Sequence, residues 1–320
     1  MSDTNHTGST VTEFTILGFP GLQDQESKTI LSVVFLAVYL LTVLGNLLIV
    51  VVFAVNESLH TPMYILICNL AILDISLISI TIPKMLAVFM FDSKFISFGA
   101  CFTQMFFFMS LGTTEGFLLT VMAYDRYLAI CHPLHYSTMM TNGLVMRHVL
   151  WCWAGGFLSM LVPLILAVRL PFCGPDKVLH CFCDHSSVLR LACANIVINS
   201  ILGLTIALSV LLIPLTLILL SYVKIVRSVL QISGTEGRAK AFSTCSSHLL
   251  VISVFFLTAI GVYISYRVPG TSANLRIMTA VFQNVFPSFM NPIIYCLRTK
   301  EIRDSLVKTL KKSRVFPKSM

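Results

Sequence analysis

Long apolar runs separated by short polar stretches set the character of this chain. No charged residue occurs between Thr29 and Val55, and similar runs cover Pro62–Ala87, Gly99–Ile130, Val145–Val168, Ile196–Val226, Ala239–Ser265 and Leu275–Leu297. Each is as long as the roughly 20 residues a helix needs to cross a bilayer. The pattern therefore predicts an all-α membrane protein, a seven-transmembrane helix bundle over residues 29–297. Residues 1–28 are polar and are expected to form an amino-terminal segment outside the cell. In the tail, 298–320, Ile302, Leu306, Val307 and Leu310 share one helical face, with Lys300, Arg303, Lys308 and Lys311 elsewhere. This spacing predicts a short amphipathic helix on the membrane surface over Lys300–Leu310.

Composition narrows the picture further. Of 320 residues, 56% are hydrophobic and 11% charged, whereas a soluble domain carries about 25% charged residues. A water-soluble globule is excluded. The net charge of +8 does not indicate nucleic acid, because the basic residues flank the apolar runs instead of clustering on a soluble face. Fourteen of the 22 Lys and Arg, among them Arg126, Arg147, Lys224 and those from Arg298 onward, lie on the side of the tail. The positive-inside rule places that side in the cytosol. An odd number of spans then puts the amino terminus outside, where Asn5-His6-Thr7 fits a glycosylation acceptor. Residues 1–28 hold no apolar core of signal-peptide type, so the first span is expected to target the chain to the plasma membrane.

Five of the ten cysteines fall on the outer side: Cys101 at the start of the third span, and Cys173, Cys181, Cys183 and Cys193 in the following long loop. Disulfides persist in that compartment. At least one bridge from the loop to the third span is expected, a second within the loop is open, and an odd count leaves one thiol over. The run His180-Cys181-Phe182-Cys183-Asp184-His185 also offers donors for a soft metal such as copper or zinc. Disulfide cysteines beside ordinary loop histidines are the competing reading.

Two acids, Asp74 and Glu115, lie deep within apolar runs. An ionisable group there costs roughly 2.5–3.5 kcal/mol on insertion scales and is a functional candidate by default. Glu115 precedes Arg126 by three helical turns, about 16 Å, which sets it near mid-depth. Facing carboxylates are tolerated when one is protonated or a cation lies between them. A sodium site and a hydrogen-bonded structural pair both satisfy that condition. Asp125-Arg126-Tyr127 closes the third span; alone, such a pair reads as a solvated surface contact worth under about 1 kcal/mol.

Several longer motifs occur together in order: Gly45-Asn46, Leu59-His60-Thr61-Pro62-Met63-Tyr64, Met122 through Cys131 (MAYDRYLAIC), Ser221-Tyr222, Lys240 through Cys245 (KAFSTC) and Pro292-Ile293-Ile294-Tyr295. With these the chain resembles an olfactory receptor of the rhodopsin-like G-protein-coupled receptor superfamily over nearly its whole length. Phe19-Pro20-Gly21-Leu22 resembles the class I, fish-like branch, whose members often detect carboxylic acids. The resemblance implies bridges Cys101–Cys183 and Cys173–Cys193 with Cys181 unpaired. It implies sodium-binding roles for Asp74 and Glu115, and switch roles for Arg126 with Asp125, Tyr222 and Tyr295. It also implies a stimulatory, olfactory-type G protein as partner, cyclic AMP as output, and no enzymatic activity. Phe255-Phe256 departs from the family's Phe-Tyr pair and lacks its hydroxyl.

The expected odorant site lies in the outer half of the bundle. Phe256, Ile260, Tyr263 and Arg267, spaced by four, three and four, share a face of the sixth span. Met105, Phe108, Met109, Gly112 and Thr113 do so on the third, and Leu202, Ile206 and Val210 complete the wall from the fifth. Ordinary interhelical packing produces such stripes too; the resemblance to pocket-lining positions favours a cavity. Arg267 matches the acid-anchoring arginine of class I receptors, and its planar fork suits a carboxylate. Met109 stands where many class I members carry histidine, so His185 or Ser186 of the long loop is expected to help hold a polar end. A transporter of small solutes is the alternative class, but no internal repeat is evident. An intramembrane enzyme lacks a nucleophile or an H-E-x-x-H spacing.

Overall fold

A computed structural model describes residues 11–231 and 234–315, with residues 240–244, 267 and 310–315 described by backbone alone. In chain order come β1 (Glu13–Ile16), α1 (Gln25–Val55), a 3₁₀ turn at Glu57–Leu59, α2 (Pro62–Phe91), β2 (Phe95–Ser97) and α3 (Phe98–Cys131). Then follow α4 (Tyr136–Met139), α5 (Asn142–Val168), β3 (Lys177–Val178) and α6 (His185–Leu189). The chain continues through α7 (Val197–Gln231), α8 (Thr235–Arg267), α9 (Ala273–Arg298) and α10 (Lys300–Val315). The seven long helices match the seven apolar runs. Their starts are set by side chains that satisfy free backbone N–H groups: Asp24 accepts from Ser27 N at 2.8 Å, and Ser97, Thr141 and Ser272 each cap in the same way at 3.3 Å. Pro62 opens α2 directly after Thr61, a position where its missing N–H costs nothing.

Among the described residues six helices are long and apolar enough to cross a membrane by themselves, and α9 is not one of them. It carries Asn284, Ser288 and Asn291, all buried, together with Pro287 and Pro292. It is held by α8, α1 and α2, against which it packs. Pro292 has no N–H to give the carbonyl of Ser288 four residues back. Asn46 of α1 supplies the missing donor, Nδ2 to Ser288 O at 3.0 Å. Gly45 beside it allows the approach, because a Cβ there would sit 3.1 Å from the Pro292 ring. The Gly-Asn pair of α1 is thus complementary to the proline of α9.

α3 is the axis of the bundle, touching α2, α5, α7 and α8. Its contact with α5 is close: a Cβ on Gly156 would strike Thr114 Oγ1 and lie 2.9 Å from Ser110 O. Between membrane helices packing is driven by van der Waals contact, so small residues that let backbones approach carry the interface. Outward-facing Leu, Ile and Val on α1 and α7 stay exposed to the surrounding hydrocarbon.

The helical bundle also carries a small three-stranded sheet, in which β1 pairs antiparallel with β2 and parallel with β3. The amino-terminal segment contributes β1 to it. Phe14, Ile16 and Phe19 are fully buried beneath the loop between α5 and α7, and α1 begins at Gln25, before Thr29. Burial on one face of a four-residue strand leaves no periodic signature.

Candidate functional site

At one end of the bundle Cys101 is bonded to Cys183 and Cys173 to Cys193, with Cα separations of 5.4 and 6.1 Å. This pins the long loop onto the top of α3. Gln104, one turn below Cys101, reinforces it, accepting from Cys183 N at 2.9 Å and donating to Ile80 O of α2 at 2.8 Å. Phe182 is buried at the centre, 4.8 Å from the Phe108 ring and 4.3 Å from that of His180. The Cys183 sulfur is spent in a disulfide, the Cys181 thiol is held in its neutral form by burial, and no group of three or more metal-type ligands gathers among the described residues.

Asp184 caps α6. Its Oδ2 accepts from Ser186 Oγ at 2.5 Å, Ser187 N at 3.1 Å and Ser187 Oγ at 3.2 Å. Burial works to raise this carboxyl, but His180, the two serines and His185 outweigh it and hold it below the ordinary aspartate range. Burial pushes His180 and His185 the other way, below the ordinary histidine value, with Asp184 only partly compensating.

The residues expected to line the odorant cavity divide into several groups. Met105 and Thr113 are buried, Thr113 spending its hydroxyl on Met109 O at 2.9 Å, while Phe108 and Met109 are half-buried. Gly112 borders open space, with no atom within 4 Å of where a Cβ would stand. Leu202, Ile206 and Val210 are half-buried on α7, and Phe256 is buried edge-on to Phe255 at 5.1 Å. Ile260 and Tyr263 are 39% and 43% exposed, toward the rim of α8. Ser186 is engaged by Asp184, whereas the Nε2 of His185 has no partner and its ring presses on Gly203, 2.8 Å from where a Cβ would be. The Arg267 side chain and Asn5 lie outside the described residues.

A cavity of about 490 Å³ lies on the other side of α8, between it and α9, lined by residues including Ser253, Leu257, Gly261, Thr279 and Phe282. It shares none of the expected wall. Leu257 and Phe282, which line it, are exposed, so the cavity opens to the outside of the bundle.

The middle of the bundle holds the two acids, both buried, Asp74 on α2 and Glu115 on α3. Asn291 donates to Asp74 Oδ2 at 2.9 Å, and Ser288 lies beside it. Asp74 Oδ1, Glu115 Oε1, Ser110 Oγ and Asn291 Oδ1 are buried without partners. Carboxylate and amide oxygens are hard donors, the type that a cation such as sodium takes and a soft metal does not.

At the opposite end from the disulfides, the surface-pair reading of Asp125-Arg126 is corrected. The two residues are 0% and 9% exposed, and Asp125 holds the Arg126 guanidinium while accepting from the Tyr136 hydroxyl at 2.7 Å. Tyr222 pairs with His248 Nδ1 at 2.9 Å, and Tyr295 is buried with its hydroxyl unpartnered. His248 and Tyr136 were missed in the sequence, one a lone histidine in an apolar run, the other outside every span.

A family model described as olfactory receptor matches residues 35–313. The chain belongs to the olfactory receptor family. Human olfactory receptor 11H6 is 45% identical over 306 residues, covering 96% of this chain and 92% of that protein. Human olfactory receptor 6N1 is 44% identical over 304 residues, 95% and 96% of the two chains, and olfactory receptor 6B9 of Mus musculus is 41% identical over 300 residues, 94% of each. These matches establish the family and a multi-pass membrane receptor for odorants that couples to G proteins; the fish-like branch stays an expectation. In this olfactory receptor α3 is the physical link between the two ends. Its first turns lie under the Phe182 loop and its last turn carries the Asp125–Arg126 pair.

Proposed function

We propose that this receptor lies in the plasma membrane with the disulfide end outside and binds a small, mostly apolar odorant between α3, α7 and α8, beneath Phe182. Binding favours an arrangement in which Arg126 leaves Asp125 and the tail end opens to a stimulatory, olfactory-type G protein, raising cyclic AMP. An odorant shifts this equilibrium only by its differential affinity for the two arrangements. The observation that carries the reading is the open space at Gly112, one helix away from buried Phe256 and on the same α3 that ends in the Arg126 lock. The Asp74–Glu115 cluster is proposed to hold sodium in the closed arrangement, and the basic tail to meet anionic lipid.

A cyclic AMP reporter line expressing the full chain tests the reading with a panel of short-chain acids, alcohols and aldehydes. Gly112→Leu, which fills the open space, is expected to weaken every active odorant by about tenfold or more, and Arg126→Ala to abolish the signal, with surface expression preserved. Unchanged potencies in Gly112→Leu overturn the placement of the site. Signal that survives Arg126→Ala overturns the receptor mechanism.

A further inference from the structure

Arg276 was not singled out from the sequence and no role in the mechanism above requires it. It lies in the first turn of α9, half-buried, and its Nε–H is enclosed without a hydrogen-bond partner. None of the ion pairs among the described residues includes it. Helix stability does not account for it either, since a cation in a first turn faces the positive end of the helix dipole. Its guanidinium carbon lies 6.0 Å from the centre of the Tyr266 ring. A cation held near a ring at this distance keeps its outer Nη–H groups for an acceptor.

The surroundings complete a site. Tyr266, near the end of α8, lies beside Ser186 and within electrostatic reach of Asp184 and Arg190, so the long loop, α8 and α9 meet around its ring. One turn below, Ser265 and Thr279 join α8 to α9 through their hydroxyls at 2.9 Å. On the amino-terminal side, Gly21 N donates to Asn274 Oδ1 at 3.1 Å and steadies the start of α9. Asp184 is no ready acceptor for Arg276, because its Oδ2 already takes three hydrogen bonds from Ser186 and Ser187. Arg190 adds a second positive charge near Tyr266 against the one negative charge of Asp184, so positive charge is in excess around the ring and an anion is favoured over an amine.

We propose that Arg276, beside Tyr266, is the anion-holding residue at the mouth of the odorant cavity, taking the carboxylate of an acidic ligand whose hydrocarbon part runs inward. The two Nη groups at the end of its guanidinium present a two-pronged donor edge matched to the two oxygens of a carboxylate. This inference rests on the reading that an odorant enters between the helices at the disulfide end. It assigns the acid-selective contact to α9 and not to Arg267 of α8.

The test uses the purified full-length receptor in lipid nanodiscs, titrated with octanoate or with octanol while the melting temperature is followed. Octanoate is expected to stabilise the wild type and Arg267→Gln alike, to need about tenfold or more higher concentration with Arg276→Gln, and to act at an intermediate level with Arg276→Lys. Octanol is expected to act equally on all four proteins. Should Arg276→Gln prove too unstable to purify, Arg276→Lys carries the test, because it keeps the charge and removes the fork. The proposal is overturned if octanoate and octanol behave alike throughout, or if Arg267→Gln alone loses the octanoate effect. No G protein is involved, so the two readings fail separately. Arg276-dependent octanoate binding in a protein that raises no cyclic AMP with any compound would sink the receptor mechanism and leave the subsite standing. Odorant signalling with octanoate binding indifferent to Arg276 would sink the subsite alone.

Discussion

Asp125 is fully buried and holds two donors, the Arg126 guanidinium and the Tyr136 hydroxyl. A hydrogen bond to a charged group contributes about 1.5–3 kcal/mol, so Tyr136→Phe should weaken the closed arrangement by that amount. Basal cyclic AMP is then expected to rise by about tenfold or more at equal surface expression; an unchanged basal level would show that Tyr136 is no part of the lock. At the disulfide end the histidines give a pH dependence whose sign is set by burial. His180 and His185 sit below their ordinary value of 6.5, so the fold favours their neutral forms. Their contribution is complete above that value and is lost as pH falls below it. The melting temperature of the purified protein should therefore drop between pH 7 and pH 5, with a shallower slope in His180→Gln. Asp125-Arg126 was visible in the sequence as a pair of letters, but its burial was not, since Tyr136, which covers Asp125, belongs to a separate short helix. His248 could not be singled out because nothing in a one-dimensional pattern shows that Tyr222 of α7 faces it.

All seven membrane helices could be read from hydropathy, and among the described residues six are apolar enough to be helices in hydrocarbon whatever their neighbours do. Which face of each helix looks inward was much less legible. In water, apolar residues mark the core; in a bilayer they mark both the core and the lipid surface, so the stripe on α8 grouped buried Phe256 with exposed Ile260 and Tyr263. Glycines proved better guides to packing than the apolar stripes. Gly156 is the clearest, since a Cβ there would strike Thr114 and the Ser110 carbonyl of α3. Gly156→Ala should force α5 away from α3 and cost about 1–3 kcal/mol, read as a lower melting temperature with the disulfides intact. A wild-type midpoint in that variant would refute the close approach.

Across the whole molecule, the amino-terminal strand joins the α2–α3 connection to the loop after α5, and the two disulfides fasten the same loop to α3 and to itself. Phe14 is its anchor, fully buried among Phe98, Phe102 and Phe172 at centroid distances of 5.8, 6.4 and 5.6 Å. Phe14→Ala is expected to cost about 3–5 kcal/mol and to lower the amount reaching the cell surface, measured by antibody staining of unpermeabilised cells; equal staining would show that the strand is dispensable. This strap was hidden in the sequence because β1 and β2 are too short to show alternation and are defined only by partners far along the chain.

The polarity of α9 also bears on how the protein is made. Among the described residues six helices are long and apolar enough to enter lipid on their own composition, while the seventh, with its buried asparagines and two prolines, finds partners for its polar groups inside the bundle. Its refuge is the groove already formed by α1, α2 and α8, where Asn46 waits for the Ser288 carbonyl. Integration of the final helix is therefore an act of assembly, and a nascent chain whose first helices are misplaced has nowhere to put its last.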